Sequence, residues 1–241
     1  MLHRFLVSLI VLVFCLGAPL AAQPTDKVVA AHYPPLMVAN DRERPGYAVE
    51  ILQEAARRAG RNINITFLPF ERAVFEVQND PATLMPSLFK GKARDDLFLW
   101  VIDISMAELR FAAVNASVND LDAARALPTI VLENGTTGDT LLTKLGFDNV
   151  MRLHDPEASA RMLQSGRATA WFLTQSNMQR VWSAIGAQPP LTFGDIVHEV
   201  PISLVASPTL PPETKAAYRD AVQSMYDDGT LADIIARYEA L

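Results

Sequence analysis

Cysteine is almost absent: one residue, Cys15, in a chain of 241. It lies within the N-terminal apolar run, so a chain that has shed that run can form no disulfide, thiolate metal site or cysteine nucleophile. Histidine is scarce as well, with four residues, and His32, His154 and His198 stand too far apart for metal-ligand spacing. No metal and no cofactor is expected. Positive charge is also in deficit, with 21 Lys and Arg against 27 Asp and Glu, a formal net charge of −6. Proteins bind nucleic acid mainly by releasing counterions with Lys and Arg, so this balance excludes nucleic acid as an expected partner. Beyond the N-terminus no apolar run approaches the roughly 20 residues that a membrane-spanning helix needs.

The N-terminus itself is built differently from the rest. His3 and Arg4 precede an uncharged apolar run from Phe5 to Gly17, and Ala18-Pro-Leu-Ala-Ala22 leads into Gln23. This is the layout of a cleaved secretory signal peptide, residues 1–22. A run of about 13 residues is too short to cross a bilayer. Phe14 stands before Cys15 where lipid attachment would need a small residue, so export into a bacterial periplasm without a lipid anchor is expected. Half of the chain is hydrophobic (50%) and 20% is charged, enough for a packed core in one large domain or two small lobes.

Strand and helix signals alternate along the chain. Lys27 to Ala31 reads as a strand stopped by His32-Tyr33-Pro34-Pro35, since two prolines cannot continue a ladder. Tyr47 to Ala59 carries Val49, Leu52, Ala56 and Ala59 at helical spacing and stops at Gly60. Asn62 to Phe67 alternates with the period of a strand. A helix follows from Phe70, with strands at Leu84–Ser87 and Phe98–Ile102. A second series has strands at Thr129–Leu132, Val150–Leu153, Ala168–Leu173 and Val197–Ala206. Between them lie helices after Gly138, after Asp155-Pro156-Glu157 and from Ser176 to Ile185. Two helices close the chain, one from Pro211 to Asp228 and one from Thr230 to Tyr238. Alternation of this kind predicts a mostly parallel α/β sheet.

Two stretches carry chemistry. In Leu84-Met-Pro-Ser-Leu-Phe-Lys-Gly-Lys-Ala-Arg94 an apolar strand gives way to Ser87 and then to Arg94. An arginine fork offers a carboxylate two parallel charge-assisted hydrogen bonds, and a serine hydroxyl can add a third. The plain alternative is a surface ion pair of Arg94 with Asp95 or Asp96. In Glu133-Asn-Gly-Thr-Thr-Gly138 two threonines, Thr136 and Thr137, sit where a helix begins and its unpaired N–H groups favour an anion. A threonine there is equally an ordinary helix cap.

Tyr33-Pro-Pro35, Gly46-Tyr-Ala-Val-Glu-Ile51, Phe70-Glu-Arg72, Arg94 soon after the strand ending in Ser87, Gly135-Thr-Thr137, Gly166-Arg-Ala-Thr-Ala170 and Asp228-Gly-Thr-Leu-Ala-Asp-Ile-Ile-Ala-Arg-Tyr238 occur in that order. Together they resemble the bacterial periplasmic solute-binding proteins of the polar amino acid type, the family 3 extracellular binding domain, over essentially all of the mature chain. The resemblance implies a type II periplasmic binding protein fold, two α/β sandwich lobes joined by a two-strand hinge. Residues 23–106 and 202–241 would form lobe I and 107–201 lobe II, with crossings near Ser105–Glu108 and His198–Pro201. A ligand would lie between lobes that close by hinge motion.

By the same resemblance, Arg94 and Thr137 come from opposite lobes and clamp the ligand's carboxylate. Ser87 and Thr136 add polar contacts, and Tyr33 and Phe70 form aromatic walls. Thr169 stands where the family's amino acid binders carry an aspartate for the ligand's ammonium, and Ala30 where they often carry another. An ammonium buried without a counter-charge is costly, so the expected ligand is a small carboxylate-bearing molecule other than an ordinary α-amino acid. The expected partner is the membrane permease of an ABC importer, served by a monomer. An enzyme of the cyclohexadienyl dehydratase type and a sensor feeding a membrane receptor remain alternatives. Glu71, Glu133 and His32 are the nominees for acid–base work, but no two have a compelling spacing. Glu71 and Glu133 read as surface or capping residues, and Trp171 and Phe172, on opposite strand faces, read as core.

Overall fold

In the computed structural model, residues 23–91 and 94–239 are described; the expected signal peptide and Cys15 lie outside them. Strand β1 (Thr25–Ala30), helix α1 (Tyr47–Arg58), β2 (Asn62–Phe67), α2 (Phe70–Asn79) and β3 (Leu84–Phe89) make up the first half. The second half holds α3 (Leu121–Arg125), β5 (Ile130–Glu133), α4 (Thr137–Lys144), β6 (Val150–Leu153), α5 (Pro156–Gln164), β7 (Ala170–Thr174) and α6 (Gln175–Ala184). Two strands, β4 (Leu99–Val114) and β8 (Leu191–Ala206), run through both, and α7 (Pro212–Asp227) and α8 (Thr230–Glu239) end the chain.

These strands form one mixed eight-stranded sheet in the order β2-β1-β3-β8-β4-β7-β5-β6. Parallel pairing holds at the two outer ends, β2-β1-β3 and β7-β5-β6, whereas β8 is antiparallel to both β3 and β4 and β4 is antiparallel to β7. The expectation of a mostly parallel sheet fails at its centre because β4 and β8 are 16 residues each and pair with one another almost throughout. β3 pairs with β8 only from Ile202 onward, and β7 pairs with β4 only over Leu109–Ala112. Between those zones Ser105, Met106, Ala107 and Glu108 face Ile202, Pro201, Val200 and Glu199 in register. The two halves are therefore joined by a two-stranded ribbon.

Local chemistry accounts for many of the element ends. Asp155 accepts a hydrogen bond from the Ala158 N–H at 2.8 Å and Pro156 follows it, so α5 opens with cap, proline and Glu157 in the favoured order. Gly46, before α1, has φ +98°, and a Cβ there would lie 2.4 Å from the Leu36 carbonyl oxygen, so only glycine fits. Pro86 cannot donate to the ladder, and the register between β3 and β8 slips between Met85 and Leu88. Ser87 sits in that bulge.

The larger hydrophobic cluster runs from Val28, Ile51 and Leu84 through Ile104 to Phe111, Ile130 and Phe172. A smaller one, with Val131, Trp171, Leu173 and Trp182, lies under α5 and α6. Trp171 and Phe172 thus belong to different clusters, each 1% exposed or less, and both are core residues as the strand period implies.

Candidate functional site

The segments that follow β1 and β7 meet through Tyr33 and Asn177, and in α/β sheets ligands are held outside such C-terminal strand ends. Tyr33 stands just after β1, in a turn closed by its N–H on the Met37 carbonyl at 2.8 Å. Its ring packs edge-on against Phe89, centroids 6.0 Å apart. Its hydroxyl crosses to the second half and accepts from Asn177 Nδ2 at 3.4 Å, and Asn177 Oδ1 accepts from Arg180 Nη2 at 2.6 Å. Burial, with the nearby Glu133 charge adding to it, pushes the Tyr33 pKa up to about 12, so the phenol stays protonated at neutral pH.

Arg94 follows β3 in a turn in which its N–H reaches the Gly91 carbonyl at 2.7 Å. It is half-buried, and among the described residues no carboxylate comes within ion-pair distance of it. The surface pair with Asp95 or Asp96 is not formed. Burial without an anion pulls the Arg94 pKa down. Ser87 is 3% exposed, and its hydroxyl makes no hydrogen bond among the described residues.

At the start of α4 the two threonines divide their roles. Thr136 is the cap: its Oγ1 accepts from Asp139 N–H at 3.2 Å and donates to the Glu133 carbonyl at 2.8 Å. Thr137, one residue on, is half-buried and its hydroxyl is uncommitted among the described residues. Asp139 in the same turn accepts from Gly135 N–H at 3.0 Å and pairs with Arg152 at 2.7 Å.

Phe70 and Thr169 are the remaining expected contacts. Phe70 opens α2 and is 42% exposed. Thr169 precedes β7, its N–H on the Thr129 carbonyl at 2.8 Å. Since β5 and β7 are parallel, with Ile130 beside Ala170, Thr169 is level with the beginning of β5, whereas Thr136 and Thr137 follow its end. Five residue steps, roughly 16 Å, separate Thr169 from Thr174 at the far end of β7. That end carries Thr174, which lines a 1280 Å³ cavity together with Tyr33, Asn177 and Arg180. Of the seven residues nominated from the sequence, Tyr33 alone borders this cavity.

Glu133 corrects one expectation. It is not a surface or capping residue: it is 5% exposed, and its Oε1 accepts from Ser159 Oγ at 2.7 Å and Trp171 Nε1 at 3.1 Å while Oε2 is buried with no partner. Burial raises its pKa. The partners come from α5 and β7, 26 and 38 residues along the chain, so nothing local signals the burial. Glu71 and His32 are exposed, as read from sequence, and His32 Nδ1 accepts from Ala39 N–H at 3.1 Å. Asn177 and Arg180 were missed; their signal was their place one turn into the helix after β7.

An α/β chain with a cavity lined by Tyr33, Asn177 and Arg180 is suited to binding a small molecule. The chain belongs to the bacterial extracellular solute-binding proteins, family 3, whose model matches residues 27–240. No curated protein matches it. Among solved structures it is similar to the probable amino-acid ABC transporter extracellular-binding protein ytmK from Bacillus subtilis, at 16% identity and TM-score 0.77 over 90% of this chain and 97% of that one. The periplasmic VFT2 domain of BvgS from Bordetella pertussis shares 19% identity and TM-score 0.75, with coverages of 90% and 94%. The ancestral amino acid-binding protein AncCDT-1, a precursor of cyclohexadienyl dehydratase, shares 13% identity and TM-score 0.72, with coverages of 89% and 95%. At these identities the likeness is one of fold. Among the described residues no helix is long and apolar enough to cross a membrane.

Proposed function

We propose that this protein is an exported, periplasmic solute-binding protein. In this reading two lobes, residues 23–106 with 202–241 and residues 107–201, close on a small carboxylate-bearing molecule that is delivered by a monomer to the permease of an ABC importer. The observation that carries the reading is Arg94, half-buried on the turn after β3 and without a carboxylate partner among the described residues. A desolvated guanidinium is costly unless an anion reaches it. Thr137 from the other half and Ser87 in its bulge supply further hydroxyls, with Tyr33 and Phe70 as walls. Thr169 and Ala30 are not acids, Glu133 has one oxygen engaged and the other shut away from solvent, and of the two carboxylates on the cavity wall beside Tyr33, Glu108 pairs with Arg110 and Asp41 accepts from the Glu43 and Arg44 backbone N–H groups. An α-ammonium has no evident partner, so the ligand is a carboxylate without that amine.

Binding rather than catalysis is favoured by the separation of the acid–base nominees. Glu71 is exposed, His32 is spent on a backbone N–H, Glu133 is enclosed, and no hydrogen bond joins any two of them. A thermal-shift screen of the mature protein against amino acids, keto acids, dicarboxylates and aromatic acids tests the reading, since a ligand of the folded state raises Tm. Keto acids or dicarboxylates should do so and amino acids should not. Arg94→Ala should weaken binding by about 30-fold or more in calorimetry with the fold intact; an unchanged affinity removes the proposal. Tight binding of amino acids by the wild type removes its negative half, and turnover of any screened compound removes the non-enzymatic reading.

A further inference from the structure

The cavity beside Tyr33 has a cation left over. It lies between the loop after β1, the middle of β4, the first turns of α6 and the end of α8, and three guanidiniums and two carboxylates reach its wall. Both acids are engaged. Glu108 takes Arg110 Nη2 at 2.7 Å, and Asp41 takes the backbone N–H groups of Glu43 and Arg44 at 3.1 and 2.8 Å. The Arg44 guanidinium lies 5.0 Å from the centre of the Tyr238 ring and donates to the Arg237 carbonyl at 2.9 Å. Arg180 is different. Its bond among the described residues runs to a neutral acceptor, Asn177 Oδ1 at 2.6 Å, which leaves most of the five N–H donors of its fork open to the cavity.

The Tyr33 hydroxyl makes this a pair of donors. It accepts from Asn177 Nδ2 at 3.4 Å, and its own proton has no acceptor among the described residues. Asn177, only 3% exposed, thus holds Tyr33 and Arg180 side by side from a single buried side chain. The wall around them is apolar at Leu36, Phe89, Ala107 and Ile202. Two unspent donors, one of them the exposed cation of Arg180, on a cavity wall of mixed polar and apolar residues form a receptor for an anionic group at the end of an apolar body. Glu133, whose charge reaches Tyr33, is itself disfavoured as an anion by burial, so it opposes such a group less than a solvated carboxylate would.

We propose that this cavity is the second compartment of the ligand site and that Arg180 and the Tyr33 hydroxyl receive a second acid group, so that the preferred ligand is a diacid with an apolar spacer. The proposal rests on the assignment of the first carboxylate to Arg94. Calorimetry on the mature protein with succinate, glutarate and adipate, each against the monoacid of equal length (butyrate, pentanoate, hexanoate), is the test. At the best-fitting length the diacid should bind at least about tenfold tighter, a difference of about 1.4 kcal/mol. Arg180→Gln should bring that ratio close to one, and Arg180→Lys should keep part of it. Equal affinities for diacids and monoacids, no diacid binding at millimolar concentration, or an unchanged ratio in folded Arg180→Gln each overturns the proposal. Arg94→Ala separates the two readings. Diacid binding that survives Arg94→Ala but falls with Arg180→Gln sinks the first assignment and keeps this one, and the converse pattern does the reverse.

Discussion

Asp26 and Glu133 are both carboxylates drawn into the interior, one in each half, and they are treated in opposite ways. Asp26 receives Arg61 through two parallel bonds at 2.6 and 2.7 Å and the Tyr218 hydroxyl at 2.6 Å, tying β1, the residue before β2 and α7 together. Glu133 has two neutral donors on one oxygen and nothing on the other. The arginines divide in the same way. Arg58 and Arg61 are paired with acids, whereas among the described residues Arg94 and Arg180 have no carboxylate partner, and both are pulled down in pKa by burial. Completed pairs such as Arg61 with Asp26 tie elements of the fold together, whereas Arg94 and Arg180 keep donors without an anion among the described residues. Under the proposed function those open donors are the ones a ligand would meet.

Substitutions should break this contrast in a definite order. Asp26→Ala strands Arg61 and Tyr218 in a largely buried site and should cost about 3–5 kcal/mol, a fall in Tm of roughly 10 °C by calorimetry, with ligand affinity unaltered. Arg94→Ala should show the opposite profile, its loss appearing in binding and Tm staying within about 2 °C; a large fall in Tm would make Arg94 a second Arg61 and erase the distinction.

Glu133 sharpens the comparison through pH. Its folded pKa is raised, so as pH climbs from the ordinary value of 4.5 the unfolded carboxyl loses its proton first. The native state then binds more protons than the unfolded one, and stability falls with rising pH through that window. Glu133→Gln keeps an acceptor for Ser159 and Trp171 but cannot ionise. It should remove the slope, match the wild type near pH 4 and exceed it by about 1–2 kcal/mol at pH 8 in denaturant titrations. Equal slopes would show that Glu133 is ionised at little cost. The smallest effect belongs to Thr136→Ala, which removes the α4 cap for about 1 kcal/mol. Thr137→Ala should leave stability unchanged and weaken the ligand instead.

Much of the fold could be read from short stretches. β2 matches its alternating pattern residue for residue at Asn62–Phe67, and α5 begins where Asp155-Pro156-Glu157 places it. β4 could not be read in this way. Only its first residues carry a clear apolar run, because its register against β8 shifts repeatedly between Trp100 and Ala112 and the buried positions Val101, Ile104, Ala107, Leu109 and Phe111 therefore keep no constant period. The site was half legible. Tyr33 and Arg94 follow strands and Ser87 sits within β3, all with chemistry suited to a carboxylate, yet Asn177 and Arg180 look like an ordinary polar helix face. Thr169 precedes β7 whereas Thr174 at its far end lines the cavity, and the direction of a strand is not something a motif states.

What the sequence determined by itself is the alternation of strands and helices, the caps and stops that bound them, the acidic charge balance, and the family. These follow from side-chain periodicity and turn chemistry, which act over a few residues. Only the tertiary structure decided which charges are completed and which are left open. Glu133 meets Ser159 and Trp171 across 26 and 38 residues, and Tyr33 meets Asn177 across 144. Whether a buried charge finds a partner depends on strand order and helix placement across the whole sheet. No local pattern records it.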